Sequence, residues 1–206
     1  MFVKAKKDII LFILFWVLIA GALFLALYFS GLAPDYFKEF ASGVFAAIRG
    51  NQQIAQAEFS KDSVFAIIPK IGLTVPVVFP ESKDIDVLKK ALSQGVAHYP
   101  DSALPGQNGN VFIFGHSSNK PFEKNPARTA FTKLNQLEAG DEIFIQSGKI
   151  KYRYQVKSIE IVDPKTSRVY LESNKPKLTL STCWPVGDPK NRTVVEAEFV
   201  EKSLVN

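Results

Sequence analysis

The only cysteine of the chain, Cys183, lies in the segment LTLSTCWPVGDPKNR, residues 178–192. A thiolate can attack a carbonyl carbon when an acid protonates the leaving amine and hydrogen-bond donors stabilise the oxyanion. Because an alternating apolar run precedes Cys183, this residue is either a small core residue or a nucleophile at the end of a strand. A single cysteine excludes an internal disulfide and any zinc site built from several cysteines.

Two other side chains could complete this chemistry. Of the two histidines, His116 directly follows the apolar run VFIFG and opens a long insertion, so we expect it, rather than His98, to be the acid and base. Arg192 begins the run RTVVEAEFV after the eight-residue connection WPVGDPKN. A hairpin over this connection would bring Arg192 beside Cys183, where its forked, permanently charged guanidinium suits an oxyanion.

The elements that must position these residues are short β-branched and aromatic runs bounded by turn residues, which indicate an antiparallel β domain. The predicted strands are VFAIIP, LTVPVVF, NVFIFGH, DEIFIQSG, IKYRYQVKSIEIV, KLTLSTC and RTVVEAEFV, with a short helix in IDVLKKALSQG. The long insertion, residues 117–140, contains a predicted helical turn near residues 129–134, and insertions of this size usually carry function. Seven or more strands predict a closed or nearly closed barrel, which leaves no exposed sheet edge.

The amino-terminal part of the chain contains an uncharged apolar stretch after Lys4, Lys6 and Lys7. A membrane-spanning helix needs about 20 apolar residues, whereas the apolar region of a cleavable signal has about 7–15. We therefore predict a transmembrane signal-anchor helix over residues 9–33; a buried core helix and a signal cleaved near residue 22 are the alternatives. The lysines predict that residues 1–8 form a cytoplasmic tail and that the remainder faces outward.

A second helix is predicted between the apolar stretch and the β domain, within residues 34–62. Apolar residues recur there at helical spacing: Phe37, Phe40, Val44, Phe45 and Ile48. This juxtamembrane amphipathic helix or linker could be a spacer, an interfacial helix or a lid. The catalytic domain is expected to occupy residues 63–206.

Charge and composition exclude other classes. The net charge of +5 includes the three amino-terminal lysines, and no basic run with interleaved aromatic residues follows them, so nucleic acid is not an expected partner. Asp163, Asp188 and Glu160 are too dispersed along the chain to predict a calcium site. We therefore expect no metal and no cofactor.

The combined pattern closely resembles the sortase family of membrane-anchored cysteine transpeptidases. The resemblance covers residues 64–200 and is carried by TLSTC with the downstream arginine, by FGH and by GVAHYPDSALPGQNGN. It implies a mainly β fold: a closed barrel of about eight strands with short helices, preceded by an N-terminal transmembrane helix. The CWPVGDPKNR loop and the AEF ending are more similar to classes D and E, and the chain lacks the Asp-Pro-aromatic lid motif of class C.

The resemblance also implies roles for individual residues. Cys183 would attack the threonine carbonyl of an LPxTG-like sorting signal and form a thioacyl enzyme. His116 would protonate the leaving amine and then deprotonate an amine acceptor, such as a cell-wall peptidoglycan precursor or a pilin lysine, while Arg192 would hold the substrate and the oxyanion. The protein would then be an extracellular, single-pass enzyme that anchors surface proteins of a bacterium.

Three further residues are candidates for substrate binding. These are Thr182, His98 and Trp184. Each also has a structural alternative: an ordinary strand residue, a structural histidine and a tryptophan that packs into the barrel. Two alternatives to transpeptidation also stay open, a membrane-anchored cysteine peptidase or hydrolase and a non-catalytic β-barrel scaffold.

Overall fold

Residues 12, 14–24, 26, 35–56, 59–118 and 124–205 are described by a computed structural model of the chain. The chain divides into two units, Met1–Ala55 and Gln56–Asn206.

The first unit is helical where it is described. Residues 14–24 are helical, and helix α1 spans Asp35–Gln56, which confirms the predicted second helix. The side chains of Phe40, Val44 and Phe45 on α1 are exposed. Within the described residues, no helix is both long enough and apolar enough to span a bilayer. The predicted span over residues 9–33 lies in part outside the described residues.

The second unit is a closed barrel of eight strands, as predicted. The strands are β1 (Val64–Ile68), β2 (Leu73–Val78), β3 (Val96–His98), β4 (Gly109–Phe114), β5 (Glu142–Ser147), β6 (Ile150–Val162), β7 (Pro176–Trp184) and β8 (Asn191–Leu204). Their order around the barrel is β1-β2-β3-β4-β7-β8-β6-β5, and β1 closes the sheet by pairing with β5. The seven predicted strands are confirmed, whereas β3 was not predicted because three residues are too few to show alternation.

The helices of the barrel unit are short. Helix α2 spans Ile85–Gln94, and Gly95 is its C-cap, where the sequence predicts the end of the helix. Its first turn is capped by the Asp84 side chain, which accepts hydrogen bonds from the backbone N–H groups of Asp86 and Val87. Short 3-10 helices lie at Pro69–Ile71, Pro126–Thr129 and Leu134–Gln136, and the last two flank the predicted helical turn of the insertion, where residues 130–133 form a turn.

The barrel interior is filled by alternate residues of the strands. On β7, Leu178 and Leu180 are fully buried, so Ser181 and Cys183 lie on the opposite, outer face. The insertion contributes Phe131 to the same core with no exposed surface. Burial of each such side chain contributes roughly 1.5–3 kcal/mol, and this packing holds the strands in register.

Candidate active site

A cleft of about 350 Å³ lies on the outer face of the barrel, over the ends of β4, β7 and β8. The predicted catalytic residues Cys183, His116 and Arg192 all line this cleft, and so does Thr182. The thiol of Cys183 is free and partly exposed. The structure therefore brings Cys183 and Arg192 into one solvent-connected cleft with His116, which precedes them by 67 and 76 residues in the chain.

The strand register places Arg192 directly opposite Cys183 in the antiparallel β7–β8 pair. Directly opposed residues project from the same face of a sheet, so the hairpin brings the two side chains together as expected. The Nη1 atom of Arg192 donates to the carbonyls of Pro189 at 2.8 Å and Asn191 at 2.9 Å. These bonds hold the guanidinium at the end of the hairpin and leave its other N–H donors for a ligand.

His116 is held by the residues around it. β4 runs parallel to β7, and the ladder continues beyond β4 because the N–H of Gly115 donates to the carbonyl of Ser181 at 3.1 Å. The carbonyl of His116 accepts a hydrogen bond from Phe131 N–H at 3.0 Å. The backbone of His116 is thus fixed between the nucleophile strand and the insertion.

Burial lowers the pKa of His116, and the positive charge of Arg128 lowers it further. Both effects disfavour the imidazolium, so the resting side chain is neutral at neutral pH. A neutral imidazole can accept a proton from a thiol, and the acid form that results can protonate a leaving amine.

Thr182 occupies the face of β7 opposite Cys183. It is buried, and its hydroxyl donates to the carbonyl of Gly115 at 2.8 Å. A hydroxyl used in this way links β7 to the segment that carries His116. The contact therefore supports a structural contribution of the Thr182 hydroxyl beside its position in the cleft.

His98 does not line the cleft. Its position on β3 is paired with the fully buried Ile113, and its ring stacks on Phe79 with ring centroids 4.6 Å apart. The Nε2 atom lies 2.9 Å from the carbonyl of Ala103 and 3.0 Å from the hydroxyl of Ser102. This position favours the structural alternative over substrate binding, because the ring faces the interior of the domain.

Hydrogen bonding assigns the tautomer of His98. The Ser102 hydroxyl donates to the carbonyl of Tyr99 at 2.7 Å, so it can only accept from His98, and Nε2 therefore carries the proton. Burial is the main effect that lowers the pKa of His98. His98 is thus a buried, neutral side chain.

Trp184 also lies outside the lining of the cleft. It is the last residue of β7, opposite Asn191, and it is partly buried. Side chains alternate along a strand, so the residue directly after Cys183 projects to the other face. The position of Trp184 therefore does not support the expectation that it binds substrate.

Sequence reasoning did not identify the walls of the cleft. These are formed by Tyr99, Phe112, Phe114, Leu88 and Leu92. Strand alternation would have indicated the two phenylalanines, because Val111 and Ile113 beside them are buried in the core. The i, i+4 spacing would have indicated the two leucines. Gly115 is required by close packing, since a Cβ atom there would lie 2.8 Å from both Phe131 and Val96.

A second cavity of about 450 Å³ adjoins the cleft and shares Phe112, Ser181 and Arg192 with it. Its other walls come from β6, β8 and the connection before β7: Glu160, Val162, Pro164, Ser167, Arg168, Val169, Val194 and Glu196. The two cavities form a groove across the outer face of the sheet. Arg192 lies at their junction.

The sequence of the barrel matches a known family. A family profile described as Sortase domain matches residues 67–200. Sortase D of Bacillus subtilis (strain 168) is 32% identical over 154 residues, which cover 73% of this chain and 70% of that protein. The chain belongs to the sortase family.

The chain is also similar in sequence and structure to other sortases. Sortase A of Bacillus anthracis is 27% identical over 72% of this chain and 65% of that protein. The solved structure of sortase A from Corynebacterium diphtheriae has a TM-score of 0.56 at 29% identity, over 71% of this chain and 63% of that one. The matched part is thus slightly less than two thirds of these two proteins. This sortase is a cysteine transpeptidase, and its similarity to a sortase D is consistent with the expected D/E-like character.

The two histidines predict how the stability of this sortase depends on pH. Because the pKa values of His98 and His116 are lower in the folded chain, the unfolded chain binds more protons near pH 6 than the folded chain does. The contribution of the two histidines to the free energy of unfolding should therefore be constant above about pH 7.5 and fall as the pH decreases through about 6.5. Each histidine can contribute at most about 1.4 kcal/mol per pH unit.

Urea unfolding between about pH 7.5 and 5.5 measures this dependence above the range in which most carboxylates titrate. His98→Gln and His116→Gln should each reduce the slope. A double variant that retains the full wild-type slope would contradict the assignment of the pH dependence to these histidines.

Proposed function

We propose that this sortase cleaves an LPxTG-like sorting signal through a thioacyl intermediate on Cys183 and transfers the surface protein to an amine acceptor. The observation that carries the proposal is the register that places Arg192 opposite Cys183, in a cleft that His116 also lines. A cysteine that only filled the core would be buried, whereas Cys183 is partly exposed in a cleft with a histidine and an arginine. The scaffold alternative is therefore disfavoured.

The reaction begins with proton transfer from the Cys183 thiol to His116. The thiolate attacks the carbonyl carbon of the substrate threonine, and the π electrons move to the oxygen, which accepts hydrogen bonds from the Arg192 fork. When the tetrahedral intermediate collapses, the C–N bond breaks and the imidazolium gives its proton to the leaving amine. The acyl group remains on Cys183 as a thioester.

The second half of the reaction reverses these steps with a new amine. His116 takes a proton from the acceptor amine as its nitrogen attacks the thioester, and the thiolate of Cys183 leaves. The low pKa of His116 limits the population that holds thiolate and imidazolium together. We therefore infer that turnover is slow.

The groove supports binding of an extended peptide. The larger cavity continues from Arg192 across the valines of β6 and β8, away from Cys183. A strand-like peptide advances about 3.3 Å per residue, so the part of the signal before the scissile bond can lie along this groove. We assign the apolar residues of the signal to this side of the site.

We also propose that the enzyme is anchored by the apolar stretch over residues 9–33, with the barrel outside the cell and residues 1–8 in the cytoplasm. The uncharged sequence and the preceding lysines support this topology. The exposed apolar side chains of Phe40, Val44 and Phe45 on α1 support a juxtamembrane position for this helix.

Acyl transfer can be tested by incubating the full chain in detergent with a library of LPxTG-like peptides, with and without triglycine. A transpeptidase should form a Cys183 adduct, visible by mass spectrometry, and then a ligated product when triglycine is present. Cys183→Ala should form neither species. Release of the cleaved peptide to water alone, at every amine concentration, would instead establish the hydrolase alternative.

The proposed role of Arg192 predicts that its substitution slows acylation and that a positive charge alone does not restore the rate. Arg192→Lys keeps the positive charge but lacks the forked donors, so single-turnover acylation should fall by about a hundred- to a thousandfold. The matched control is Arg153→Lys. Arg153 pairs with Glu142 and Glu201 on the β5, β6 and β8 surface, and it does not line the cleft.

Circular dichroism would establish that both arginine variants are folded. Acylation by Arg192→Lys at the wild-type rate would show that another donor, such as a backbone N–H near Cys183, holds the oxyanion. An equal loss in Arg153→Lys would show that the effect is not specific to the cleft.

The proposed topology predicts the outcome of proteolysis on intact cells. Protease added outside should remove the barrel and leave a short membrane-bound fragment, because this topology places residues 57–62, between α1 and the barrel, outside the cell. Antibody detection of tags at the two ends would follow the fragments. Protection of the barrel on intact cells, with digestion only after lysis, would contradict the outward orientation.

A further inference from the structure

The residue after His116 is hydrogen-bonded both to the nucleophile strand and to the β7–β8 connection. Ser117 is buried, and its hydroxyl donates to the backbone carbonyl of Cys183 at 2.7 Å. The carbonyl of Ser117 accepts from the N–H of Gly187, in the β7–β8 connection, at 3.1 Å. Ser117 thus contacts both the nucleophile and the connection that leads to Arg192.

These bonds lie where the regular ladder no longer holds the chain. β4 ends at Phe114 and β7 ends at Trp184, so neither His116 nor the connection after β7 is fixed by strand pairing between β4 and β7. The bond from Thr182 to Gly115 lies on one side of the Cys183–His116 pair. The bond from Ser117 to the Cys183 carbonyl lies on the other side, so the segment that carries His116 is bonded to β7 both before and after His116.

The link continues to Arg192 through the connection itself. The N–H of Asp188 donates to the carbonyl of Pro185 at 2.8 Å, and the Asp188 carboxylate accepts from Lys190 N–H at 3.0 Å. The carbonyl of Pro189 then accepts the bond from Arg192. Hydrogen bonds within the connection thus join the part that Ser117 contacts to the segment that holds the guanidinium.

We propose that Ser117 is a positioning residue, which holds the Cys183 thiol within proton-transfer distance of His116 and fixes the connection that orients Arg192. This inference rests on the proposed roles of Cys183 and His116. Proton transfer and attack depend steeply on geometry, and a displacement of about 1 Å can cost a hundredfold in rate. The hydroxyl acts on the reaction through the backbone of Cys183.

Two substitutions of equal shape isolate the hydroxyl. Ser117→Thr retains the O–H donor, whereas Ser117→Val replaces it with a methyl group. Both add the same bulk, so any strain from overpacking is shared and the difference between them reports the hydrogen bond. The Val variant should acylate about ten- to a hundredfold more slowly than the Thr variant, mainly in kcat, with KM within about twofold.

Ser147 supplies the matched control for loss of a buried hydroxyl. It is also buried, and its hydroxyl also donates to a backbone carbonyl, that of Ser60, at the same 2.7 Å. It lies on β5, which pairs with β1 and β6 and not with the strands of the cleft. Ser147→Ala and Ser117→Ala should both lower thermal stability, but only Ser117→Ala should slow acylation.

A second measurement does not depend on the sorting signal. The rate of Cys183 alkylation by iodoacetamide, measured against pH in the folded protein, reports thiolate formed by transfer to His116 at low pH and by simple ionisation at high pH. In Ser117→Val the rate near pH 6.5 should fall about tenfold relative to Ser117→Thr. Near pH 10 the two rates should agree within about twofold, because accessibility is unchanged.

The outcomes separate this inference from the proposed function. A wild-type alkylation profile that His116→Gln leaves unchanged would contradict the roles of Cys183 and His116. A His116-dependent profile that is the same in Ser117→Thr and Ser117→Val would contradict the role of Ser117 alone. A loss of acylation in Ser147→Ala as large as in Ser117→Ala would show that the effect follows stability, and it would also overturn the inference.

Discussion

β7 is hydrogen-bonded along both of its edges, to β4 in parallel and to β8 in antiparallel orientation. The antiparallel pairing with β8 places Arg192 opposite Cys183. The parallel pairing with β4 brings His116, two residues beyond the end of β4, to the same end of β7. The candidate catalytic groups therefore lie in or just after three strands, β4, β7 and β8. The distances between these groups depend on the register in which β7 pairs with its two neighbours. A slip of one residue would turn the side chain of Cys183 away from the cleft and toward the core.

The barrel core protects that register. Leu178 and Leu180 of β7 and Val195 of β8 are completely buried, so a slip would expose apolar side chains and bury polar ones. Closure through β1 and β5 leaves no free edge in the sheet at which pairing could shift or extend. The insertion adds Phe131 to the core beside Gly115, and the chain that carries His116 is thereby packed as well as hydrogen-bonded.

The same packing determines the electrostatics of the cleft. Partial burial and the positive charge of Arg128 lower the pKa of His116, so its imidazole is neutral at rest, the form that can accept a proton. Burial is also the main effect that lowers the pKa of His98, whereas its hydrogen bond to the Ala103 carbonyl opposes that shift. Similar pKa shifts thus accompany a candidate catalytic role in one histidine and a structural role in the other, and only the location of each ring distinguishes them.

Seven strands and the helix α2 follow from the sequence alone, because alternation and turn residues are local properties of the chain. The juxtaposition of Cys183 and Arg192 was also predictable, since a hairpin over a short connection leaves few registers. The parallel pairing of β4 with β7 joins segments about 67 residues apart, and the three-residue β3 is too short to show a pattern. The direction in which His98 and Trp184 point, and the contact of Ser117 with the Cys183 carbonyl, depend on those pairings. Local propensity cannot specify contacts between strands that are distant in sequence, so only the closed barrel decided which polar groups meet in the cleft.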